Sequence, residues 1–281
     1  MNYNELSDKI IVSNNIQNID DTVKLAKEIF TRATKDSFLS QYFNSENVEN
    51  SFAKLIVSKS KEEYKKYCLE LFQKEFEGMS EEQISEIIDH FGGFSDANTG
   101  NIYIPPTATL EEIVHELVHH MSVKNNLTGI YQPVIELSRL YPRWKISADD
   151  AVSLDEAFTE MITRVLIPEL EPENAYEYGS NIITQYYNLT SQYNKNPERF
   201  FEAYFNKDTN SLESLEADIS NLNVSFAHEA DLWFKMIKSA RVIQDFYTTG
   251  KSAGLLSVLN KNQLAEIFIE LENSYSYEKS F

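Results

Sequence analysis

The most constraining feature of this chain is a segment, residues 109–121, whose apolar side chains would face nearly every direction on a helix. The apolar positions are Ile113, Val114, Leu117, Val118 and Met121. A helix that is apolar nearly all round lies in the interior of a domain. Thr109 and Glu112 have the spacing of a capping box, in which each side chain accepts a hydrogen bond from the other residue's backbone N–H. We therefore expect a buried helix that begins beside Thr109 and around which the domain is built.

Three polar residues interrupt this helix, namely His115, Glu116 and His119. Residues four apart on a helix share one face, with Cβ atoms about 5–6 Å apart, so both imidazoles can bind one metal ion. Glu116 is rotated by about 100° from His115, so it can reach a water molecule beside the metal rather than the metal itself. The pattern predicts Zn²⁺ on His115 and His119, with Glu116 as the general base that takes a proton from the attacking water. The alternative is a helix whose histidines only hydrogen-bond to backbone carbonyls.

A third metal ligand has to come from another part of the chain. The residues three and six positions after His119 are Ser122 and Asn125, which excludes the three-histidine site of the metzincin type. The best candidate is Glu156, which lies in a second predicted helix over residues 153–167. We therefore predict a site of two histidines and one carboxylate, a set of ligands that zinc enzymes use.

Glu160 follows Glu156 by one helical turn and lies on the same face. Like charges one turn apart disfavour a helix unless something cationic holds them, which supports a metal-bound role for Glu156. We expect Glu160 to accept an N–H bond from one of the liganding imidazoles. Three alternatives stay open: Asp155 is the ligand, Glu156 forms a capping box with Ser153, or the two glutamates form a solvated face.

Helical periodicity dominates the rest of the chain. It predicts helices over residues 25–33, 59–76, 80–90, 173–193, 197–205, 211–222, 226–247 and 261–273. Residues 91–100 are rich in turn-forming residues, and Asn101–Ile104 follows as a short strand stopped by two prolines, which predicts a β-hairpin directly before the motif helix. The expected fold class is α+β, predominantly α, with a small mixed sheet and a helical C-terminal half. One domain over residues 1–281 is the simplest account, and a subdomain boundary near 168–172 is the alternative.

Charge and segment composition exclude several classes of partner. The 281 residues hold 25 Lys+Arg against 44 Asp+Glu, a net charge of −19, and such a surface repels phosphate backbones and anionic lipid heads. We therefore expect a polypeptide partner and no nucleic acid. No apolar run is long enough to span a bilayer, and residues 1–24 lack the pattern of a Sec signal. The expected location is the cytoplasm, or outside the cell by a secretion route that does not read such a signal.

Three further residues are expected to be structural. Cys68, the single cysteine, lies in an apolar helical pattern and is predicted to be a buried packing residue. His120 is rotated by about 100° from His119, so it should miss the metal and make a polar contact instead. His90, directly before the turn-rich stretch, is also expected to be structural.

The two motifs together resemble the gluzincin branch of zincin metallopeptidases, which includes the thermolysin-like enzymes. The residues that carry the resemblance are His-Glu-Leu-Val-His at 115–119 and Glu-Ala-Phe-Thr-Glu at 156–160. In that group the third zinc ligand is a glutamate that is followed four residues later by an acidic residue. The separation between the two motifs is longer than in thermolysin-like enzymes and closer to that in clostridial neurotoxin light chains, which have a run similar to residues 152–156.

The resemblance covers roughly residues 91–165, and it implies both a fold and an activity. The implied fold is a zincin-like domain in which Asn101–Ile104 is the edge strand that pairs with extended substrate. The implied activity is that of a zinc metallopeptidase that hydrolyses the peptide bonds of a polypeptide. Gluzincins often stabilise the oxyanion with a His, Tyr or Arg from later in the chain. The candidates for that role, left open, are His228, Arg241, Tyr247, Tyr131 and Tyr141.

The alternative function is that of a non-catalytic zincin-like protein whose zinc is structural and which acts as a binding module. A site with three protein ligands and an open position favours catalysis over that alternative. For a peptidase, two biological settings are open: an effector or toxin protease that acts on a host protein, and a housekeeping or phage-encoded intracellular enzyme.

Overall fold

The computed structural model describes residues 3–11, 18–72, 78–89, 92–96, 99–122, 154–170, 187, 198–206 and 209–220. These residues form helices α1 (Tyr3–Ile11), α2 (Ile19–Ala33), α3 (Ser45–Ala53), α4 (Lys61–Leu71), α5 (Glu81–Asp89), α6 (Leu110–Ser122), α7 (Leu154–Leu166), α8 (Glu198–Asn206) and α9 (Thr209–Ser220). They also form strands β1 (Leu55–Val57), β2 (Phe94–Asp96) and β3 (Asn101–Ile104). The expected α+β class, predominantly α with a small sheet, is confirmed for this part of the chain.

Contacts between Cα atoms divide the chain into two compact units. The first consists of residues 1–123 and 162–173, and the second consists of residues 124–161 and 174–281. The expectation of one domain over the whole chain, with a boundary near 168–172 as its alternative, stays a prediction.

The three strands form one mixed sheet in the order β1-β3-β2. Strand β1 runs parallel to β3, with Leu55 opposite Ile102, and β2 runs antiparallel to β3, with Phe94 opposite Tyr103. The expectation that β3 is an edge strand is therefore wrong, because β3 is paired on both sides, and among the described strands β1 and β2 are the outer ones. Strand β1 was not predicted, because three apolar residues in a row are too short to show a period.

Strands β2 and β3 form the hairpin that was predicted before the motif helix. Gly100 closes its turn with a φ of +68°, a conformation that side chains with a Cβ rarely adopt. The backbone N–H of Gly100 donates to Asp96 O at 2.7 Å, and the hydroxyl of Thr99 donates to Asp96 Oδ2 at 2.5 Å. These bonds fix the length of the turn and with it the register of the two strands.

Helix α6 lies between the hairpin and two other helices of the first unit. It contacts α2 and α3 as well as β2 and β3. Its four central apolar residues, Ile113, Val114, Leu117 and Val118, have no exposed surface. Burial of each such side chain stabilises the fold by about 1.5–3 kcal/mol. The expectation of a buried motif helix is confirmed.

Reciprocal side-chain caps set the starts of α5 and α6. Glu112 Oε2 accepts from the backbone N of Thr109 at 2.6 Å, and Thr109 Oγ1 accepts from the backbone N of Glu112 at 3.2 Å. Ser80 and Gln83 make the same pair of bonds at 2.9 and 3.2 Å. A cap of this kind contributes about 1 kcal/mol. The predicted capping box of the motif helix is thereby confirmed.

Most of the predicted helices that fall on described residues are present. Helices over 25–33, 59–76, 80–90, 153–167, 197–205 and 211–222 correspond to α2, α4, α5, α7, α8 and α9, with ends shifted by a few residues. Helices α1 and α3 were not predicted. The predicted helices over 226–247 and 261–273, and nearly all of 173–193, lie outside the described residues. Within the described ranges no helix combines the length and the apolar character that crossing a membrane requires.

Candidate metal centre

Helix α6 brings the two motif histidines together, with the edge of one ring towards the face of the other. The Nε2 atoms of His115 and His119 are 3.0 Å apart, and the ring centroids are 4.7 Å apart at an angle of 73°. Two ligand atoms of a tetrahedral zinc ion lie about 3.3 Å apart at Zn–N distances of about 2.0–2.1 Å. The nitrogen pair therefore already has close to the spacing that one shared ion requires.

Glu156 on α7 supplies the third ligand atom of this group. One carboxylate oxygen of Glu156 and one ring nitrogen from each histidine all lie within 4.8 Å of one another, and all three residues are half-buried. In the part of the chain that the structure describes, this is the one group of His, Cys, Asp or Glu with such spacing. Neutral imidazoles and a carboxylate form a donor set that suits a transition-metal ion. The group can therefore hold a metal ion, and the three residues predicted as its ligands are the ones that lie together.

A buried hydrogen-bond chain holds the turn of α7 that carries Glu156. The hydroxyl of Thr159 donates to Asp155 O at 2.7 Å, and its oxygen lies 2.5 Å from the hydroxyl oxygen of Tyr204 on α8. Because Thr159 has one hydroxyl proton and uses it on a carbonyl, Tyr204 is the donor in the second bond. The ring of Tyr204 also stacks on Phe158, with centroids 6.0 Å apart. Thr159 and Tyr204 have no exposed surface, so water cannot replace these bonds.

The C-terminal end of α7 is held by a cation. Arg32 on α2 donates to the carbonyl of Leu166 and pairs with Glu169 at 3.1 Å. The hydroxyl of Ser7 donates to the same Glu169 oxygen at 2.8 Å. A guanidinium satisfies the last carbonyls of a helix and is favoured there by the helix dipole. The segment around Leu166 is thus tied to α1 and α2.

The remaining acidic residues of α7 occupy different environments. Glu160 is 3% exposed and lies one turn after Glu156. A buried carboxylate needs hydrogen-bonding or cationic partners, which is consistent with the role expected for Glu160 beside the metal. That role stays a prediction. Asp155 is half-buried and does not belong to the group of three ligands, so the group contains Glu156 rather than the alternative ligand Asp155.

The hairpin contacts one stripe of α6, formed by Glu112, Glu116 and His120. A Cβ added at Gly92 would meet the Glu112 carboxylate, and one added at Gly93 would meet Glu116 Cγ at 2.8 Å. The backbone of Gly93 therefore packs directly against the side chain of the predicted general base. In the sequence these two glycines belong to a turn-rich stretch, which by itself does not indicate this contact. A pair of glycines directly before a strand was the one signal that could have indicated it.

His120 completes this stripe at its C-terminal end. Its Nε2 lies 3.0 Å from Gly100 O, and its Nδ1 lies 2.8 Å from Ser51 Oγ. A carbonyl can only accept, so Nε2 carries the proton and Nδ1 of the neutral ring accepts from the serine hydroxyl. Burial lowers the pKa of His120, which favours this neutral form. The expectation that His120 makes polar contacts is confirmed.

Tyr64 on α4 lies near the same stripe, although no sequence pattern distinguishes it from the other tyrosines. It is 3% exposed and packs with Cys68, Ile88 and Tyr103, which confirms the buried position expected for Cys68. Burial raises the pKa of Tyr64 far above its usual value, and the nearby carboxylate of Glu116 raises it further. The phenol therefore stays protonated throughout the physiological pH range.

Several predicted residues lie outside the described part of the chain. They are His90, Ser153 and the five oxyanion candidates His228, Arg241, Tyr247, Tyr131 and Tyr141. A comparison with models of protein families finds no match to this chain, and none is found among curated proteins or solved structures. The resemblance to gluzincins therefore stays a prediction that rests on the two sequence motifs.

Proposed function

We propose that this chain is a zinc-dependent metallopeptidase of the gluzincin type, which hydrolyses peptide bonds in a polypeptide substrate. The observation that supports this most is the convergence of His115, His119 and Glu156. One oxygen of Glu156 lies within 4.8 Å of both imidazole nitrogens, although this residue comes from a helix far along the chain. A chance His-Glu-x-x-His segment would have no reason to meet a carboxylate in that position.

The donor set and the neighbouring residues support assigned roles. Two imidazoles and one carboxylate would hold the ion, and zinc so bound supplies a Lewis acid that activates water and polarises a carbonyl. Glu116 follows His115 on the same helix and is half-buried. Its carboxylate would accept a proton from the attacking water and deliver it to the leaving amine. Strand β2, at the sheet edge beside α6, would pair with the extended substrate backbone.

The variant Glu116→Gln tests these roles. We expect it to bind zinc as the wild type does, because its ligands are unchanged, but to lose at least about 100-fold in hydrolysis. His119→Ala, the matched control, removes a ligand and should lose the metal as well. Zinc is measured by inductively coupled plasma mass spectrometry on purified protein.

Hydrolysis can be measured although no substrate is known. Reduced and alkylated proteins from bacterial and human cell lysates are incubated with each variant, and the new N-termini are labelled and identified by mass spectrometry. New termini produced equally by wild type and Glu116→Gln would contradict the mechanism. Wild-type protein that binds no zinc would contradict the whole proposal.

The number of protein ligands on the bound ion distinguishes a catalytic zinc from the structural zinc of the non-catalytic alternative. X-ray absorption spectroscopy of the zinc-loaded protein counts the nitrogen and oxygen neighbours of the metal. Three protein ligands and an exchangeable fourth position support catalysis, whereas a fourth protein ligand that closes the site would indicate a structural zinc.

A further inference from the structure

The start of the hairpin approaches α6 more closely than a residue with a side chain would allow. Gly92 and Gly93 are not among the glycines with positive φ, so their backbone conformation is open to other residues. A Cβ at position 93 would lie 2.8 Å from Glu116 Cγ, 2.8 Å from Ile104 Cδ1 and 3.3 Å from Tyr103 O. Carbon atoms in favourable contact stay about 3.5–4.0 Å apart. Position 93 therefore requires a glycine for steric reasons, because a Cβ atom there would overlap with neighbouring atoms.

We propose that Gly93 is a positioning residue for Glu116, whose carboxylate it holds in place by leaving room for the side chain. This inference rests on the proposed function, in which Glu116 is the general base. The contact is direct, because Gly93 faces the Cγ atom through which the carboxylate is attached to its helix. No polar group of Gly93 is needed for this role; the small size of the residue is sufficient.

Of the groups around position 93, the side chain of Glu116 is the one that can move away from an added Cβ. Ile104 has no exposed surface and lies in the central strand of the sheet, and Tyr103 O belongs to the backbone of that strand. Glu116 is half-buried, and its Cγ can leave by rotation about χ1 to another staggered position, about 120° away. That rotation carries the carboxylate away from its present place. An alanine at 93 would therefore displace the general base rather than the sheet.

Two other glycines of the same region provide matched controls. A Cβ at Gly92 would lie 2.2 Å from Glu112 Oε1 and 2.8 Å from Glu112 Cγ, so Gly92→Ala displaces the side chain that caps α6, and the three nearest atoms all belong to Glu112 rather than to Glu116. Gly100 has a φ of +68° and nothing within 4 Å of an added Cβ, so Gly100→Ala strains the hairpin turn without steric contact. Gly92→Ala thus disturbs the start of α6 and Gly100→Ala the hairpin turn, and neither puts its new Cβ against Glu116.

The first measurement is structural and needs no substrate. Crystal structures of zinc-loaded wild type and Gly93→Ala are compared at Glu116, and zinc content is measured for both. We expect equal zinc content and a different χ1 rotamer of Glu116 in the variant. An unchanged Glu116 rotamer in Gly93→Ala would overturn the proposal.

The second measurement is kinetic and uses a synthetic peptide that spans the site cleaved fastest by wild type in the lysate experiment. We expect Gly93→Ala to lose about 100-fold in kcat, with KM little changed, because misplacement of a reacting group by about 1 Å costs that much. Gly92→Ala and Gly100→Ala should keep kcat within a few-fold of wild type. Gly93→Ala should cause no further loss in a Glu116→Gln background, because the group it displaces is already inactive.

The outcomes separate this inference from the proposed function. If wild type binds zinc and depends on Glu116 while Gly93→Ala keeps full kcat, the proposed function stands and the positioning role is wrong. An equal loss in all three glycine variants would also overturn it, because the effect would then be general destabilisation. If Gly93→Ala does not fold, Gly93→Ala/Ile104→Val is compared with Ile104→Val alone. Valine lacks the Cδ1 atom, so this change relieves the clash between the new Cβ and Ile104, and the clash with Glu116 Cγ remains.

Discussion

The hydrogen-bond chain from Tyr204 through Thr159 to Asp155 O offers the sharpest test of how the third ligand is held. Tyr204→Phe removes the donor hydroxyl but leaves Thr159 bonded to the carbonyl of Asp155. The loss is then one buried hydrogen bond, which contributes about 1 kcal/mol. Thr159→Val is different, because it removes both the acceptor of the Tyr204 bond and the donor to Asp155 O, and loss of the partner of a buried polar group costs about 1–3 kcal/mol.

The two changes should therefore be far from additive. The bond between the two hydroxyls is lost once either residue is changed, so the loss in Tyr204→Phe/Thr159→Val should be smaller than the sum of the two single losses. The measurement is urea unfolding of zinc-free protein in EDTA, followed by circular dichroism, for wild type and the three variants. Strictly additive losses would show that the two side chains do not interact and would contradict the bond between their hydroxyls. Zinc affinity, measured in parallel, should fall by about 10-fold or more in Thr159→Val, as for other partners that orient a metal ligand.

Two further predictions follow from buried groups in the first unit. Burial raises the pKa of the Cys68 thiol to about 11. The contribution of the neutral thiol to the stability of the fold is therefore present below about pH 9 and is lost as the pH rises through the pKa of the folded state. At about pH 8 the native thiol should react with Ellman's reagent far more slowly than the urea-unfolded one, and equal rates would contradict its burial. His120→Phe should destabilise the protein by about 1–3 kcal/mol, because the hydroxyl of Ser51 and the carbonyl of Gly100 lose their partner, while zinc content stays at the wild-type level; loss of zinc in this variant would show that His120 belongs to the metal site.

The parts of the fold that could be predicted are those that local rules determine. The capping box and the all-round apolar pattern of α6 are local properties of adjacent residues, so its start and its burial followed from them. The proximity of His115, His119 and Glu156 could be predicted as well, because helical spacing sets the relation of His115 to His119 and the charge pattern on α7 singled out Glu156; their role as metal ligands stays a prediction. The need of a metal ion for a third ligand led to the expectation that Glu156 lies near the two histidines, which helical periodicity by itself could not predict.

The parts that could not be predicted depend on neighbours distant in the chain. Strand β1 becomes a strand because β3 offers it a free side, and its presence moves β3 from the edge to the centre of the sheet. The contact of Gly93 with Glu116 depends on the distance between a hairpin and a helix, which no property of two adjacent glycines encodes. Tyr204 is one of 16 tyrosines, and only its position next to Thr159 sets it apart.

The stripe of α6 that faces the hairpin also defines a longer sequence signature than the five-residue motif. Its three members, Glu112, Glu116 and His120, meet Gly92, Gly93 and the carbonyl of Gly100 in the same order along the helix. A related chain with the same arrangement should therefore carry two adjacent glycines and a turn glycine ahead of a motif that reads Glu-x-x-His-Glu-x-x-His-His. A pattern search that requires these upstream glycines would separate structural relatives from the many proteins in which His-Glu-x-x-His occurs by chance.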